Sequence, residues 1–151
     1  MPARNILLSL LGSLGLGEIF GDAVLIISQY GKLFGMPLSL LRASPFNNFL
    51  IPGIILFTAL GVIPILTMVA LIKRPVNSLA EKFNLFRDMH WAWTFSIYTA
   101  FALIIWIQVE MYFLQAVHWS HNLYMFIALS IIFVALLPQV RNLYKENLNK
   151  K

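Results

Sequence analysis

The stretch WAWTFSIYTAFALIIWIQVEMYFL, residues 91–114, has a single charged side chain, Glu110, and decides the fold. About 20 mostly apolar residues in a helix cross the roughly 30 Å hydrocarbon core of a bilayer. Lipid offers no partner for backbone N–H and C=O groups, so a segment of this kind is expected to be helical. The sequence therefore predicts a transmembrane helix over residues 91–114.

Three further apolar stretches of similar length complete the pattern. They cover residues 6–27, 49–72 and 119–138. None shows apolar and polar residues alternating over about 10 positions, the pattern that is typical of a transmembrane barrel strand. We therefore predict an all-α fold, a bundle of four transmembrane helices in which residues 1–151 form a single integral membrane domain.

The composition supports a membrane location and excludes several classes of protein. Apolar and aromatic residues make up 60% of the chain and charged residues 11%, whereas about 25% of a soluble domain is charged. The chain has no Cys, so it has neither a disulfide nor a thiolate nucleophile. It also lacks glycine-rich phosphate loops and the common hydrolase motifs. We predict no catalytic residue, no metal site and no cofactor, and we favour a protein that is not an enzyme.

The positions of Lys and Arg predict how the chain is oriented. Nine of the 11 lie at the N-terminus, between the second and third helices, or at the C-terminus. These are Arg4, Lys73, Arg74, Lys82, Arg87, Arg141, Lys145, Lys150 and Lys151. The positive-inside rule places them in the cytoplasm, which makes residues 28–48 a long external loop and residues 139–151 a basic cytoplasmic tail. The net charge of +5 then reflects topology and attraction to anionic headgroups, and we expect no nucleic-acid partner.

Local motifs predict the form of the two long connections. In the external loop, Leu38, Leu40 and Leu41 form an apolar patch that we expect against the outer bilayer surface. On the cytoplasmic side, Ser78 and Glu81 have the spacing of a capping box. This spacing predicts a short amphipathic helix in the membrane interface between the second and third transmembrane helices.

Two features of the first and second helices concern packing. Pro64 has no N–H to donate to the carbonyl of Leu60, so we expect a kink beside Gly61. The first helix carries small residues at Gly12, Gly15, Gly17 and Gly21, the last two with GxxxG spacing. Small residues let a second backbone approach closely. Besides membrane lipids, we expect another membrane protein or a second copy of this chain to bind through the face of Gly12, Gly17 and Gly21.

Four short segments carry a resemblance to known proteins. They are Leu33-Phe-Gly-Met-Pro37, Leu40-Leu-x-x-Ser44-Pro-Phe46, Phe49-Leu-Ile-Pro-Gly53 and Trp106-Ile-Gln-Val-Glu110. Here the chain resembles a family of small four-span bacterial inner-membrane proteins of unassigned function, and the loop segments cover roughly a fifth of the sequence. The resemblance implies a four-span fold, a bacterial origin and an inner-membrane location, and it transfers no catalytic residue. The loop segments also have a local structural use, because Asn48 or Ser44 can cap the second helix.

Three carboxyl groups lie inside predicted transmembrane helices and form a candidate polar site: Glu18, Asp22 and Glu110. A charge at the bilayer centre costs roughly 2.5 to 3.5 kcal/mol on insertion scales. Glu18 and Asp22 are spaced i, i+4 and share one helix face, so they repel each other when both are ionised. We therefore expect a bound proton or a cationic partner. Glu110 is predicted at a depth close to that of Asp22, so the two helices are able to share one site.

Four further polar residues are candidates near the outer face: His118, His121, Lys32 and Arg42. With the acids they are consistent with a proton relay, a divalent-cation site or an acid/base pair acting on a headgroup. The alternative is a buried ion-pair network, with the two histidines in an interfacial belt beside Trp119. We favour the belt for the histidines. Two histidines with no third ligand are a weak metal signal, and His90, at the opposite membrane surface, does not complete a haem site.

The sequence predicts a small membrane protein that acts by interaction, as an accessory subunit or scaffold. One alternative is a proton- or cation-coupled transport module that uses the acids within the membrane. A further alternative is a membrane enzyme that modifies a lipid or isoprenoid.

Overall fold

The structure is a computed structural model that describes residues 2–146. In this range the chain forms seven α-helices: α1 (Pro2–Ile27), α2 (Leu50–Leu56), α3 (Ile63–Lys73), α4 (Ser78–Lys82), α5 (Trp91–Leu114), α6 (Trp119–Leu136) and α7 (Pro138–Leu143). A 3-10 helix, Leu38–Leu41, lies between α1 and α2, and a π-helix, Phe57–Val62, joins α2 to α3. The predicted cytoplasmic residues Lys150 and Lys151 lie outside the described residues.

The predicted all-α fold with four membrane-length helices is confirmed. These helices are α1, the continuous segment Leu50–Lys73, α5 and α6, and each is long and apolar enough to cross a membrane. The fourth ends at Leu136 instead of residue 138. Leu137 is extended (φ −55°, ψ 135°), because the ring of Pro138 disfavours helical geometry in the residue before it.

The helices pack as an up-and-down bundle with two distinct ends. At one end α1 and α5 begin and α3 and α6 end, and we call it the basic end because it carries most of the Lys and Arg residues. At the other end the C-terminus of α1 meets the N-terminus of α2, where the Asn48 amide donates to the Gln29 side chain at 3.4 Å. α5 and α6 form a hairpin. We call this the loop end, because residues 28–49 cover it.

The region of Pro64 contains a π-helical turn. Over Phe57–Val62 the backbone widens, and the N–H of Ile63 donates to the carbonyl of Thr58, five residues earlier. Pro64 follows directly, in the first turn of α3. The widened turn includes Gly61, beside which we expected the kink, and π-helical turns and prolines are both recognised sites of helix bending.

The glycines of α1 do not form one face. A Cβ at Gly12 would lie 2.9 Å from the sulfur of Met68, so this glycine packs inside the bundle. At Gly17 and Gly21 a Cβ would meet nothing within 4 Å. The prediction that Gly12 shares a surface with Gly17 and Gly21 is wrong, because at about 100° per residue Gly12 and Gly21 lie on opposite sides of the helix. Gly17 and Gly21 alone remain open to a partner.

The connection between α3 and α5 contains the expected short helix, α4, with a different cap. The side chain of Asn77 accepts hydrogen bonds from the N–H groups of Leu79 (3.0 Å) and Ala80 (3.1 Å). The N-cap is therefore Asn77, and Ser78, which we predicted in this role, is the first helical residue. Leu79 and Phe83 are exposed, as an amphipathic helix at a membrane surface requires.

The segment predicted as a basic tail packs against the basic end as far as the structure describes it. The Tyr144 hydroxyl donates to the carbonyl of Leu71 at 2.9 Å, and the His90 N–H donates to the carbonyl of Tyr144 at 2.8 Å. The guanidinium of Arg74 lies 4.9 Å from the centre of the Tyr144 ring. Residues 139–146 are thus tied to the ends of α3 and α5.

His90, which the sequence places at the membrane surface opposite the other two histidines, caps α5. Its Nδ1 accepts a hydrogen bond from the Ala92 N–H at 3.2 Å, and its ring stacks on Trp91 with 5.5 Å between ring centres. Burial lowers the pKa of His90 from its ordinary value of 6.5. Glu146 and Glu81 oppose this shift and Arg74 adds to it, but burial is the largest effect.

From the lowered pKa of His90 we predict that the stability of the fold falls in acid. The unfolded chain binds a proton on His90 more readily than the folded one, so stability falls as the pH drops through 6.5. His90→Asn replaces the capping nitrogen with a side-chain oxygen, which also accepts a hydrogen bond at an N-cap, and removes the titration. We expect the variant to lose less stability than the wild type between pH 7.5 and 5.5 in thermal unfolding at matched detergent. Equal pH slopes for the two proteins would contradict the prediction.

Candidate functional site

The three intramembrane acids come together at the loop end of the bundle. α1 presents Glu18 and Asp22, and α5 presents Glu110. The three carboxyl groups lie close enough for their charges to interact. That they act as one polar site stays a prediction. We call Glu18, Asp22 and Glu110 the acid cluster.

Two neutral side chains complete the acid cluster. The side chain of Tyr124, on α6, lies close to the Glu18 carboxyl group. The side chain of Trp106, on α5, lies close to the carboxyl group of Glu110. Tyr124 does not stand out in the sequence, because a tyrosine inside an apolar stretch adds little to the polarity of that stretch. The available signal was that a buried tyrosine hydroxyl usually requires a hydrogen-bond partner.

Asp22 is the most enclosed member of the cluster. Only 4% of its surface is exposed, and its Oδ2 atom has no hydrogen-bond partner within residues 2–146. A buried polar oxygen without a partner costs free energy in any protein. An ionised carboxylate costs more, because its charge is also removed from water.

His121 joins the cluster from α6. Its Nε2 lies 3.7 Å from Oε2 of Glu110, and its Nδ1 accepts a hydrogen bond from the His118 N–H at 2.9 Å. Only 3% of His121 is exposed, so the belt interpretation is wrong for this residue. His118 and Trp119 are exposed, which is consistent with a position in the interfacial belt. His118 lies before the first turn of α6 as its N-cap, whereas His121 lies within that turn.

Lys32 and Arg42 are exposed on residues 28–49. Neither forms a salt bridge with Glu18, Asp22 or Glu110 in the part of the chain that the structure describes, and Glu110 instead lies within salt-bridge distance of His121. Among residues 2–146, no group of three or more His, Asp and Glu side chains is placed to hold a metal ion. The acid cluster is therefore a set of carboxyl groups without a Lys or Arg counter-charge.

A cavity of about 250 Å³ lies beside the cluster, under the loop. Its lining is largely apolar, with Trp106, Glu110 and His118 as its polar members. Leu40 and Leu41 face this cavity from the 3-10 helix, so the prediction that they lie on the outer bilayer surface is wrong for them. They are able to turn inward because an apolar cavity wall shields their side chains from water to the same extent that lipid would.

The N-terminus of α2 is fixed by the motif residues. The Asn48 side chain accepts a hydrogen bond from the Leu50 N–H at 3.1 Å, while the Ser44 hydroxyl binds the Leu41 carbonyl at 2.9 Å. The N-cap of α2 is Phe49, without a side-chain cap bond, so the prediction that Asn48 or Ser44 is the cap is wrong. Asn48 holds the first N–H of α2 from one residue before the N-cap, and Ser44 closes the loop. A Cβ at Gly53 would lie 3.2 Å from Leu25, so this glycine lets α2 pack closely on α1.

The segments that carried the family resemblance meet at this cavity. Leu40, Phe46, Phe49, Trp106 and Glu110 all line it. Comparison of the chain with family models, curated proteins and solved structures finds no match. The family resemblance stays a prediction, and the chemistry of the site is argued from its residues.

Proposed function

We propose that the chain is a multi-pass protein of the inner (plasma) membrane with both termini in the cytoplasm. The support is the unequal charge of the two ends. Of the Lys and Arg residues in the described chain, only Lys32 and Arg42 lie at the loop end. The positive-inside rule assigns the basic end to the cytoplasm. Residues 28–49 and the mouth of the cavity then face the outside.

In this setting the protein acts as a proton-coupled transport module, with the acid cluster as its proton site. The observation that carries this proposal is Asp22, a 4% exposed carboxyl group with an unpartnered oxygen, beside two further carboxyl groups. Three negative charges around the buried Asp22 would repel one another. The cluster therefore has to be neutralised.

Protons are the neutralising species that the geometry favours. No Lys or Arg forms a salt bridge with the acids in residues 2–146, and the described side chains do not form a metal-binding group. A protonated carboxyl group is able to donate as well as accept, so it suits the neighbouring tyrosine and histidine. A chain of such groups is typical of proton relays in membrane proteins.

The buried position also explains why a structural role alone is a poor account of the acids. A buried ion pair stabilises a fold only when good geometry offsets the loss of hydration. The single pair here, His121 with Glu110, is 3.7 Å apart, and Glu18 and Asp22 have no cation beside them in the described chain. Retaining three acids at this cost is most readily explained by proton exchange.

Asp22→Asn tests the proposal. In proteoliposomes with a trapped pH-sensitive dye and an imposed membrane potential, we expect the wild type to take up protons and the variant to match protein-free vesicles. The physical reason is that an amide is isosteric with the acid but carries no exchangeable acidic proton. Infrared spectroscopy of the carboxylic acid carbonyl band, recorded against pH, supplies a second readout that needs no substrate.

Asp88→Asn is the matched control, since this acid lies in the connection before α5 at the basic end. It should transport protons like the wild type. Proton uptake by Asp22→Asn equal to that of the wild type would refute the proton site. The role as accessory subunit or scaffold, and the alternative of a lipid-modifying enzyme, stay predictions.

A further inference from the structure

The cavity beside the acid cluster has the chemistry of a ligand site. Four aromatic side chains line it, Phe46, Phe49, Trp106 and Phe113, together with aliphatic residues from the loop, α1, α2 and α5. Glu110 is its only carboxyl group. This carboxyl group keeps 39% of its side-chain surface exposed. A hydrophobic molecule in the cavity therefore meets apolar walls and one acidic group.

The charges around the cavity favour a positively charged occupant. No Lys or Arg lines it. At the loop end, the titratable and charged groups on the surrounding elements are Glu18 and Asp22 on α1, Tyr30, Lys32 and Arg42 on residues 28–49, Glu110 and Tyr112 on α5, and His118, His121 and Tyr124 at the start of α6. The two loop cations are exposed. The groups that reach the interior are therefore mainly acidic.

Aromatic rings beside a carboxylate form a recognised environment for organic cations. The face of a ring attracts an ammonium group by about 0.5 to 2 kcal/mol. A carboxylate adds a direct charge interaction, which is stronger where water is excluded. An anionic or purely polar ligand gains neither interaction and loses its hydration.

We propose that this cavity binds a hydrophobic organic cation, with Glu110 as the counter-charge and the surrounding aromatic rings as the walls. The inference rests on the proposed proton-coupled function and names its substrate class. Glu110 belongs both to the cavity and to the acid cluster. A cation and a proton therefore compete for the same carboxyl group, which links binding of one to release of the other.

The test uses benzyltrimethylammonium and its neutral carbon isostere, neopentylbenzene, with the full-length protein in detergent. Isothermal titration calorimetry should detect saturable binding of the cation and none of the isostere. Glu110→Gln should weaken cation binding about tenfold or more, the loss expected when one partner of a desolvated charge pair is removed. Asp88→Asn, at the other end of the bundle, should bind like the wild type.

A second variant keeps the test valid if Glu110→Gln does not fold. Leu40→Trp fills the cavity from the loop and should abolish binding without removing a charge. Thermal unfolding establishes that each variant is folded. Equal affinity for the cation and its isostere would overturn the proposal. A co-purified lipid that native mass spectrometry detects, and that the cation does not displace, would also overturn it.

The outcome separates this inference from the proposed function. If Asp22→Asn abolishes proton uptake but the wild type does not bind benzyltrimethylammonium, the cation site is wrong and the proton site stands. If the cation binds through Glu110 but proton uptake is independent of Asp22, the cavity stands as a binding site and the proton-coupled function fails.

Discussion

Gly15→Ala is expected to lower the free energy of unfolding by about 3 kcal/mol, since one added methyl group has no space. A Cβ at this position would lie 2.8 Å from the backbone carbonyl oxygen of Gly61 and 2.7 Å from the side chain of Ile65. The side chain of Ile65 is able to move away by changing rotamer, but the backbone of the π-helical turn has no such freedom. α1 and the second membrane-length helix would have to move apart.

Gly17→Ala is the matched control, because it adds the same methyl group to the same helix. A Cβ there meets nothing within 4 Å, so the change should be neutral or should stabilise the helix by up to about 1 kcal/mol. Unfolding in mixed micelles with increasing SDS, followed by tryptophan fluorescence, compares the two. Similar losses of unfolding free energy in both variants would show that the close helix contact at Gly15 does not cause the loss.

Asn84→Ala is expected to lower the free energy of unfolding by a comparable amount, about 3 kcal/mol. Asn84 is buried, and its amide donates to the carbonyl of Met89 at 2.8 Å and to Glu81 at 3.3 Å. Its oxygen accepts from the Thr94 hydroxyl and from the Phe86 N–H. Alanine removes the partner of the buried Met89 carbonyl and of the buried Thr94 hydroxyl, and each buried group left unpaired costs about 1 to 3 kcal/mol.

Asn77→Ala provides the comparison for Asn84→Ala. Asn77 caps α4 at an exposed position with two hydrogen bonds, and water replaces both when the side chain is removed. The expected loss is about 1 kcal/mol, typical of an N-cap. The same SDS titration measures both variants. A loss at Asn77 that equals the loss at Asn84 would contradict the argument that burial sets the cost.

The acid cluster was only partly predictable from sequence. The i, i+4 spacing of Glu18 and Asp22 fixes them on one face, and their cost in lipid marks them as unusual. That Glu110 joins them depends on how α5 is rotated against α1, which apolar sequences of this kind do not specify. For the same reason Tyr124 was not predicted and His121, although a candidate, was assigned to the interfacial belt, since their faces are defined only by the packing of α6.

Sequence by itself determined the four membrane-length helices, because hydrocarbon admits a long apolar segment only as a helix with all backbone groups satisfied. It also determined the asymmetry of charge between the two ends. The tertiary structure alone decided which glycines touch a neighbour, that Leu40 and Leu41 turn inward, and that the acids meet beside a cavity. These features depend on helix rotation and on the path of residues 28–49. Lipid is as apolar as the bundle interior, so hydrophobicity does not distinguish the inward from the outward face.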